Sequence, residues 1–225
     1  MRGNLGMQET VRRKTWRPWL TITLIAANVL VYVMEMVWSN ASQALLFAPG
    51  IAQIEPYRFL SSAFTHSGFW HLVLNMYALW LVGMWLERMI GRWRFACIYL
   101  LSAIAGNIFV LLVATPGEMS WWTGVVGASG AVFGLFGALF VAQRSFGRRD
   151  TQLVVVIAIN LIVGFIPGMN ISWQSHVGGL IAGAVLMAAT LRPLKRGRRA
   201  SAIRDIAVYL LVLGIYAALI WYGYR

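Results

Sequence analysis

Four polar residues stand out in strongly apolar surroundings: His71 and Asn75, Ser129 within Gly127-Ala-Ser129-Gly130, and His176 ahead of a Gly-Gly pair. A serine hydroxyl is a poor nucleophile until a base accepts its proton, and imidazole is the side chain whose ordinary pKa suits that task near neutrality. Attack on a carbonyl builds negative charge on its oxygen, which then needs hydrogen-bond donors. An amide, a second imidazole and the free backbone N–H at a helix start can each supply one. The set therefore holds the parts of an acyl-transfer site. Ser129 is the expected nucleophile and His176 the general base and acid, with His71, Asn75 and the Ser129 backbone N–H as oxyanion donors. None of the acids Glu35, Glu55 and Glu118 lies in the stretches carrying Ser129 and His176, and Asp150 and Asp205 fall at the opposite end of the topology. A Ser-His dyad is expected rather than a triad, with the imidazole oriented by packing on Phe133, one helical turn after Ser129.

Such residues need elements to carry them. With 60% apolar and only 12% charged residues, the chain is too apolar for a water-soluble globule. Seven stretches read as helical spans: Pro18 to Trp38, Trp70 to Leu86, Phe95 to Ala114, Gly127 to Ala142, Leu153 to Pro167, Ser175 to Leu191 and Ile206 to Tyr222. The expected fold is an all-α, polytopic helical bundle. Of the 19 basic residues only Arg58 and Arg225 fall outside the lead before span 1 and the 2-3, 4-5 and 6-7 connections. The positive-inside rule then puts the N-terminus in the cytoplasm and the C-terminus outside. All three histidines, His66, His71 and His176, fall on the outer side. Spans 2, 4 and 6 all run inward, so His71 with Asn75, Ser129 and His176 enter the bilayer at similar depth. Span 4, about 16 residues at 1.5 Å each, reaches only about 24 Å across a core of about 30 Å. Ser129 is therefore expected below the outer surface, in a wet recess or a locally thinned bilayer.

The same pattern excludes other classes. The formal charge of +12 follows topology and contact with anionic headgroups, so nucleic acid is not an expected partner. Cys97 is the only cysteine, and the histidines lack a Cys cluster or an H-E-x-x-H pattern. No disulfide within the chain, no metal and no cofactor are expected. Span 1 lacks the small-residue cleavage site of a signal peptide. Spans 4 and 6 each contain a G-x-x-x-G pair, Gly130 with Gly134 and Gly179 with Gly183, so they are expected to pack closely as neighbours. The long first outer connection, Ser39 to Phe69, is expected to be functional and partly sunk in the interface. The expected division is a short cytoplasmic segment at 1–17, a six-span core at 18–191, a basic linker at 192–205 and a seventh helix at 206–225.

In that order the residues resemble the rhomboid family of intramembrane serine proteases. His71-Leu-Val-Leu-Asn75 fits its H-x-x-x-N, continued by Gly83, Glu87 and Gly91 in G-x-x-x-E-x-x-x-G. Gly127-Ala-Ser129-Gly130 fits G-x-S-G, and His176 with Gly179 and Gly183 fits H-x-x-G-x-x-x-G. The resemblance implies the Ser129–His176 dyad, oxyanion binding by His71 and Asn75, and structural support from Glu87, Gly130, Gly179 and Gly183. It also implies that Glu55 and Arg58 brace a membrane-embedded loop, and it matches His66 to a further histidine upstream of H-x-x-x-N. Tyr57 departs from the usual Trp and Phe133 from a common Tyr, changes of packing that remove no reacting atom. Implied substrates are transmembrane proteins, cut in or near an outer-facing part of their span, in what reads as a bacterial inner membrane. The alternatives from other classes are a catalytically inactive relative that only binds membrane clients and a small transporter or channel. Relatives of the first kind usually lack the serine or histidine present here, and the chain has no clear inverted repeat for the second.

Overall fold

A computed structural model describes residues 16–38, 40–148, 151–164, 171–191 and 198–225. Most of the basic lead, Arg149, Asp150, Pro167 and residues 192–197 of the linker lie outside the described residues. The elements in order are α1 (Trp19–Val37), α2 (Ala41–Leu45), α3 (Pro49–Ala52), α4 (Arg58–Ser61) with a 3-10 turn at Ser62–Phe64, α5 (Phe69–Ile90), α6 (Arg92–Val113), α7 (Met119–Trp122), α8 (Ser129–Ser145), α9 (Thr151–Val163), α10 (Trp173–Thr190) and α11 (Arg198–Gly223). The fold is the expected polytopic helical bundle. Pro18 precedes α1 and Pro49 opens α3, positions where the missing N–H removes no helical bond. Gly91, at φ +83°, makes the one-residue junction between α5 and α6.

Four helical stretches are long and apolar enough to cross a membrane on length and composition alone: Trp19–Val37, Phe69–Ile90, Arg92–Val113 and Ala202–Gly223. Helices α8 and α10 have 17 and 18 residues, about 26 Å each at 1.5 Å per residue. Helix α8 is interior instead. Every residue from Gly130 to Ala138 is buried, so α8 meets protein on most sides and needs no lipid-length apolar surface. The sixth stretch starts slightly earlier than its sequence pattern suggests, and the fifth ends as helix at Val163 with Gly164 in a turn.

The centre of the bundle is a backbone contact. A Cβ placed on Gly179 would collide with the carbonyl of Gly130, and one on Gly183 with the carbonyl of Gly134. A Cβ on Gly137 would strike the carbonyl of Leu180 in the same way. The two G-x-x-x-G pairs thus meet each other, and α8 and α10 are the neighbours their composition suggests.

The first outer connection is a packed region of three short helices and a turn. Its Phe47 exchanges backbone hydrogen bonds of 3.0 and 2.6 Å with Val125 in an isolated antiparallel bridge. The buried Asn107 of α6 donates to the Phe59 carbonyl at 2.9 Å and to Ser62 Oγ at 2.8 Å. Gly127 N–H donates to the Ser62 carbonyl at 2.9 Å. Inside a membrane such groups must find protein partners, and here they tie the connection to α6 and to the segment that leads into α8.

At the opposite end, buried Glu87 of α5 receives hydrogen bonds from Leu20 N (3.1 Å), Thr21 N (2.8 Å) and Thr21 Oγ1 (2.8 Å). A carboxylate on the first free N–H groups of α1 acts as a cap supplied by another helix and is favoured by the helix dipole. Helix α11 begins at Arg198, so Arg204 and Asp205, within the stretch read as linker, are helical. Buried Asp205 pairs with Arg94 of α6 at 2.7 Å, Tyr216 OH donates to the Leu101 carbonyl at 3.2 Å, and Tyr224 OH donates to the Pro49 carbonyl at 2.9 Å.

Two outcomes test this architecture. Gly183→Val should lower stability by roughly 1–3 kcal/mol through overpacking, whereas Gly214→Ala, with open space around it, should be neutral or slightly stabilising; thermal unfolding in detergent compares them. Glu87→Gln should cost about 2 kcal/mol by weakening charge-assisted bonds to α1, read as a lower midpoint in the same melt.

Candidate active site

Ser129 is the first residue of α8 and is half-buried. The chain reaches it through Gly127, whose φ of +118° is a conformation that a side chain would strain. Space is a second reason for glycine there. A Cβ at 127 would lie 2.6 Å from Cε1 and 2.7 Å from Nε2 of His71. The His71 imidazole thus lies against bare backbone two residues before Ser129.

His71 sits in the first turn of α5, where its Nδ1 faces the residue before the helix cap: Ser67 N lies 3.3 Å away and Ser67 Oγ 3.0 Å. Asn75, one turn further and buried, donates one amide hydrogen to the His71 carbonyl at 2.8 Å. An amide carries two hydrogens, so one remains for another acceptor. His66 packs edge-on against the His71 ring at 5.2 Å between centroids, and its backbone N–H donates to Glu35 Oε2 at 3.2 Å. Burial, with His71 beside it, pushes the His66 imidazole down to about 4. That ring is neutral at physiological pH and adds no charge to the site.

His176 enters from α10. Its ring lies flat on Phe133, with centroids 4.0 Å apart and planes at 8°. Phe133 follows Ser129 by four residues on α8, so the stack holds the imidazole against the helix face that carries the hydroxyl. Nδ1 of His176 is buried with no hydrogen-bond partner among the described residues, so no carboxylate orients the ring through that atom. Packing holds it instead.

Of the residues singled out in the sequence, the structure brings together His176 with Phe133, His71 with Gly127 and His66, and Asn75 with the His71 backbone. Gly130, Gly179 and Gly183 lie in the contact between α8 and α10. The others support from a distance. Buried Arg58 pairs with Glu55 and donates to the carbonyls of Gln43 (2.7 Å) and Leu46 (2.8 Å), closing the first outer connection around one guanidinium. Its bond holds the exposed Glu55 carboxyl below the usual range. Tyr57 OH reaches the Ala44 carbonyl and Glu55, each at 3.0 Å. Glu87 acts at the far end, on α1.

Two residues of this framework escaped the sequence reading. The Oγ of Ser175, beside His176, lies 2.6 Å from where a Cβ of Gly106 or of Gly130 would be, so α6, α8 and α10 converge on it. A serine ahead of a helix start looks like a cap, and only the approach of three backbones reveals the wedge. Asn107 was legible by the argument used for Asn75, an amide inside an apolar span.

Comparison with known proteins agrees with this arrangement. The Rhomboid domain family profile matches residues 53–193. The chain is 36% identical to Rhomboid protease GluP of Bacillus subtilis across 98% of its own length and 45% of that protein. It is 37% identical to RHOMBOID-like protein 5 of Arabidopsis thaliana across 79% of itself and 70% of the relative. To Rhomboid protease AarA of Providencia stuartii it is 30% identical, across 88% of itself and 82% of the relative. The chain thus spans less than half the length of the Bacillus protein and most of the other two. The glycine contact, the placing of His71, Ser129 and His176 in the first turns of three helices and these likenesses lead to one conclusion: the chain belongs to the rhomboid family.

Proposed function

We propose that this chain is an intramembrane serine endopeptidase that hydrolyses peptide bonds in or near the membrane-spanning segments of other membrane proteins. The observation that carries the reading is the flat stack of His176 on Phe133, which keeps a buried imidazole on the face of α8 that begins with Ser129. In the proposed reaction Ser129 Oγ attacks the scissile carbonyl as His176 accepts its proton. The tetrahedral intermediate collapses to an acyl-serine ester as His176 returns that proton to the leaving amine. Water, deprotonated by the same imidazole, then releases the new carboxylate and restores the hydroxyl. The Ser129 backbone N–H, His71 and the remaining amide hydrogen of Asn75 receive the oxyanion. The unpartnered Nδ1 of His176 favours a dyad over a triad.

The substrate class follows from the location. A peptide bond within a helix is hydrogen-bonded and shielded, so a client span must unwind locally before its carbonyl can meet Ser129. The Bacillus and Providencia relatives, both named rhomboid proteases, support the reading. The basic residues favour a cytoplasmic N-terminus, headgroup contact on that side and an active site opening outward, in a bacterial inner membrane. The six-span core at 18–191, flanked by the basic segments and the seventh helix, is the proposed catalytic unit.

Reconstitution in liposomes with a panel of single-span substrates tests this. The wild-type chain should cut, Ser129→Ala and His176→Ala should be inactive while still folded, and Asn75→Ala should bind substrate but turn over about 100-fold more slowly. Cleavage that survives in Ser129→Ala rejects the nucleophile. Binding without cleavage by the wild-type chain across the panel favours a client-binding relative instead.

A further inference from the structure

We infer that Ser67 is a positioning residue for oxyanion stabilisation, setting the tautomer of His71 so that the ring's single proton sits on Nε2, the nitrogen that lies against Gly127. The inference deepens the proposed function and rests on its assignment of His71 as an oxyanion donor.

A neutral imidazole has one N–H and one acceptor nitrogen, and only the N–H can stabilise an oxyanion. Which nitrogen carries the proton is set by what the other one meets. At Nδ1 the neighbour is unambiguous, because the Ser67 backbone N–H at 3.3 Å can donate and cannot accept. Nδ1 is therefore the acceptor. The Ser67 hydroxyl, 3.0 Å from the same atom, then donates as well. The proton is left to Nε2, 2.7 Å from where a Gly127 Cβ would stand and so beside the turn that delivers Ser129.

The local sequence serves this geometry at the expense of a simpler one. Gly68, the cap residue of α5, is in extended backbone and provides no side-chain cap. Ser67, one residue earlier, directs both its donors at the imidazole in the first turn. The pattern is like a capping box, in which a first-turn side chain accepts a backbone N–H from ahead of the helix, but the accepting group here is a ring with a second, functional nitrogen. His66 closes off the other side by packing edge-on at 5.2 Å.

A capping role alone would affect folding and leave the tautomer and turnover untouched, so the test reads both. The full chain, labelled with 15N-histidine in lipid nanodiscs, has three histidines, and the His71→Ala spectrum identifies the His71 signals. At a pH where the ring is neutral, wild-type His71 should show Nε2 protonated and Nδ1 bare. Ser67→Ala, which loses the hydroxyl and keeps the backbone N–H, should shift part of the population toward the other tautomer and lower kcat about fivefold to tenfold with KM unchanged, the scale of one lost hydrogen bond. Ser67→Thr, which keeps the hydroxyl, should restore both. Protonation of His71 on Nδ1 in the wild-type chain overturns the tautomer assignment by itself. An unchanged spectrum, or unchanged kcat, in Ser67→Ala overturns the positioning role. Full turnover in His71→Ala instead overturns the oxyanion assignment, separating that failure from an error about Ser67.

Discussion

The structure depends on a backbone-to-backbone contact between two helices. Lipid offers little hydrophobic incentive for helices to associate, because a neighbouring acyl chain is as apolar as a neighbouring leucine. What holds α8 on α10 is close approach, and the absence of Cβ atoms at Gly130, Gly134, Gly137, Gly179 and Gly183 permits it. The same approach brings His176 onto Phe133. A larger residue at any of these positions would separate the two groups proposed to exchange a proton, so packing and chemistry share one constraint. Because α8 is enclosed by protein, it can be shorter than a free-standing span.

Around that contact, several polar groups near the turn before Ser129 pair with one another. The Phe47–Val125 bridge and the Gly127-to-Ser62 hydrogen bond fasten the first connection to the turn before Ser129, and the two bonds from Asn107 fasten it to α6. Arg58 gathers two more carbonyls of the same region. Each would be costly if left unpaired in a low-dielectric setting. Together they give the turn at Gly127 a fixed frame that holds its positive-φ glycine against the His71 ring.

Helices α1 and α11 lie outside the span of the family match and attach differently. Helix α1 is capped by a carboxylate from α5. Helix α11 is pinned near one end by Asp205 and Arg94 and at the other by Tyr224 on the first residue of α3, with Tyr216 between. Helix α11 therefore links the start of α6 to the start of α3. Its surface toward lipid is apolar, and its attachments are a few directed bonds rather than a glycine seam.

Much was legible in the sequence alone. Apolar runs, basic connections and the order of His71, Asn75, Ser129 and His176 determined a helical membrane bundle and a candidate set of reacting groups, because the bilayer restricts how a chain can satisfy its backbone and makes any polar residue at depth conspicuous. The glycine spacing also indicated which helices pair. Only the tertiary structure decided how the groups are held: that His71 lies over Gly127 and takes bonds from Ser67, that Ser175 of α10 fills the space where α6 and α8 close in, that Asn75 has committed one hydrogen to its own helix, and that the residues before α8 are bridged to Phe47. Those contacts join residues far apart in the chain through distances of a few ångströms. Sequence periodicity places a residue on a face of a helix, but the rotation, depth and ring orientation that decide a hydrogen bond are set by all the helices packing at once.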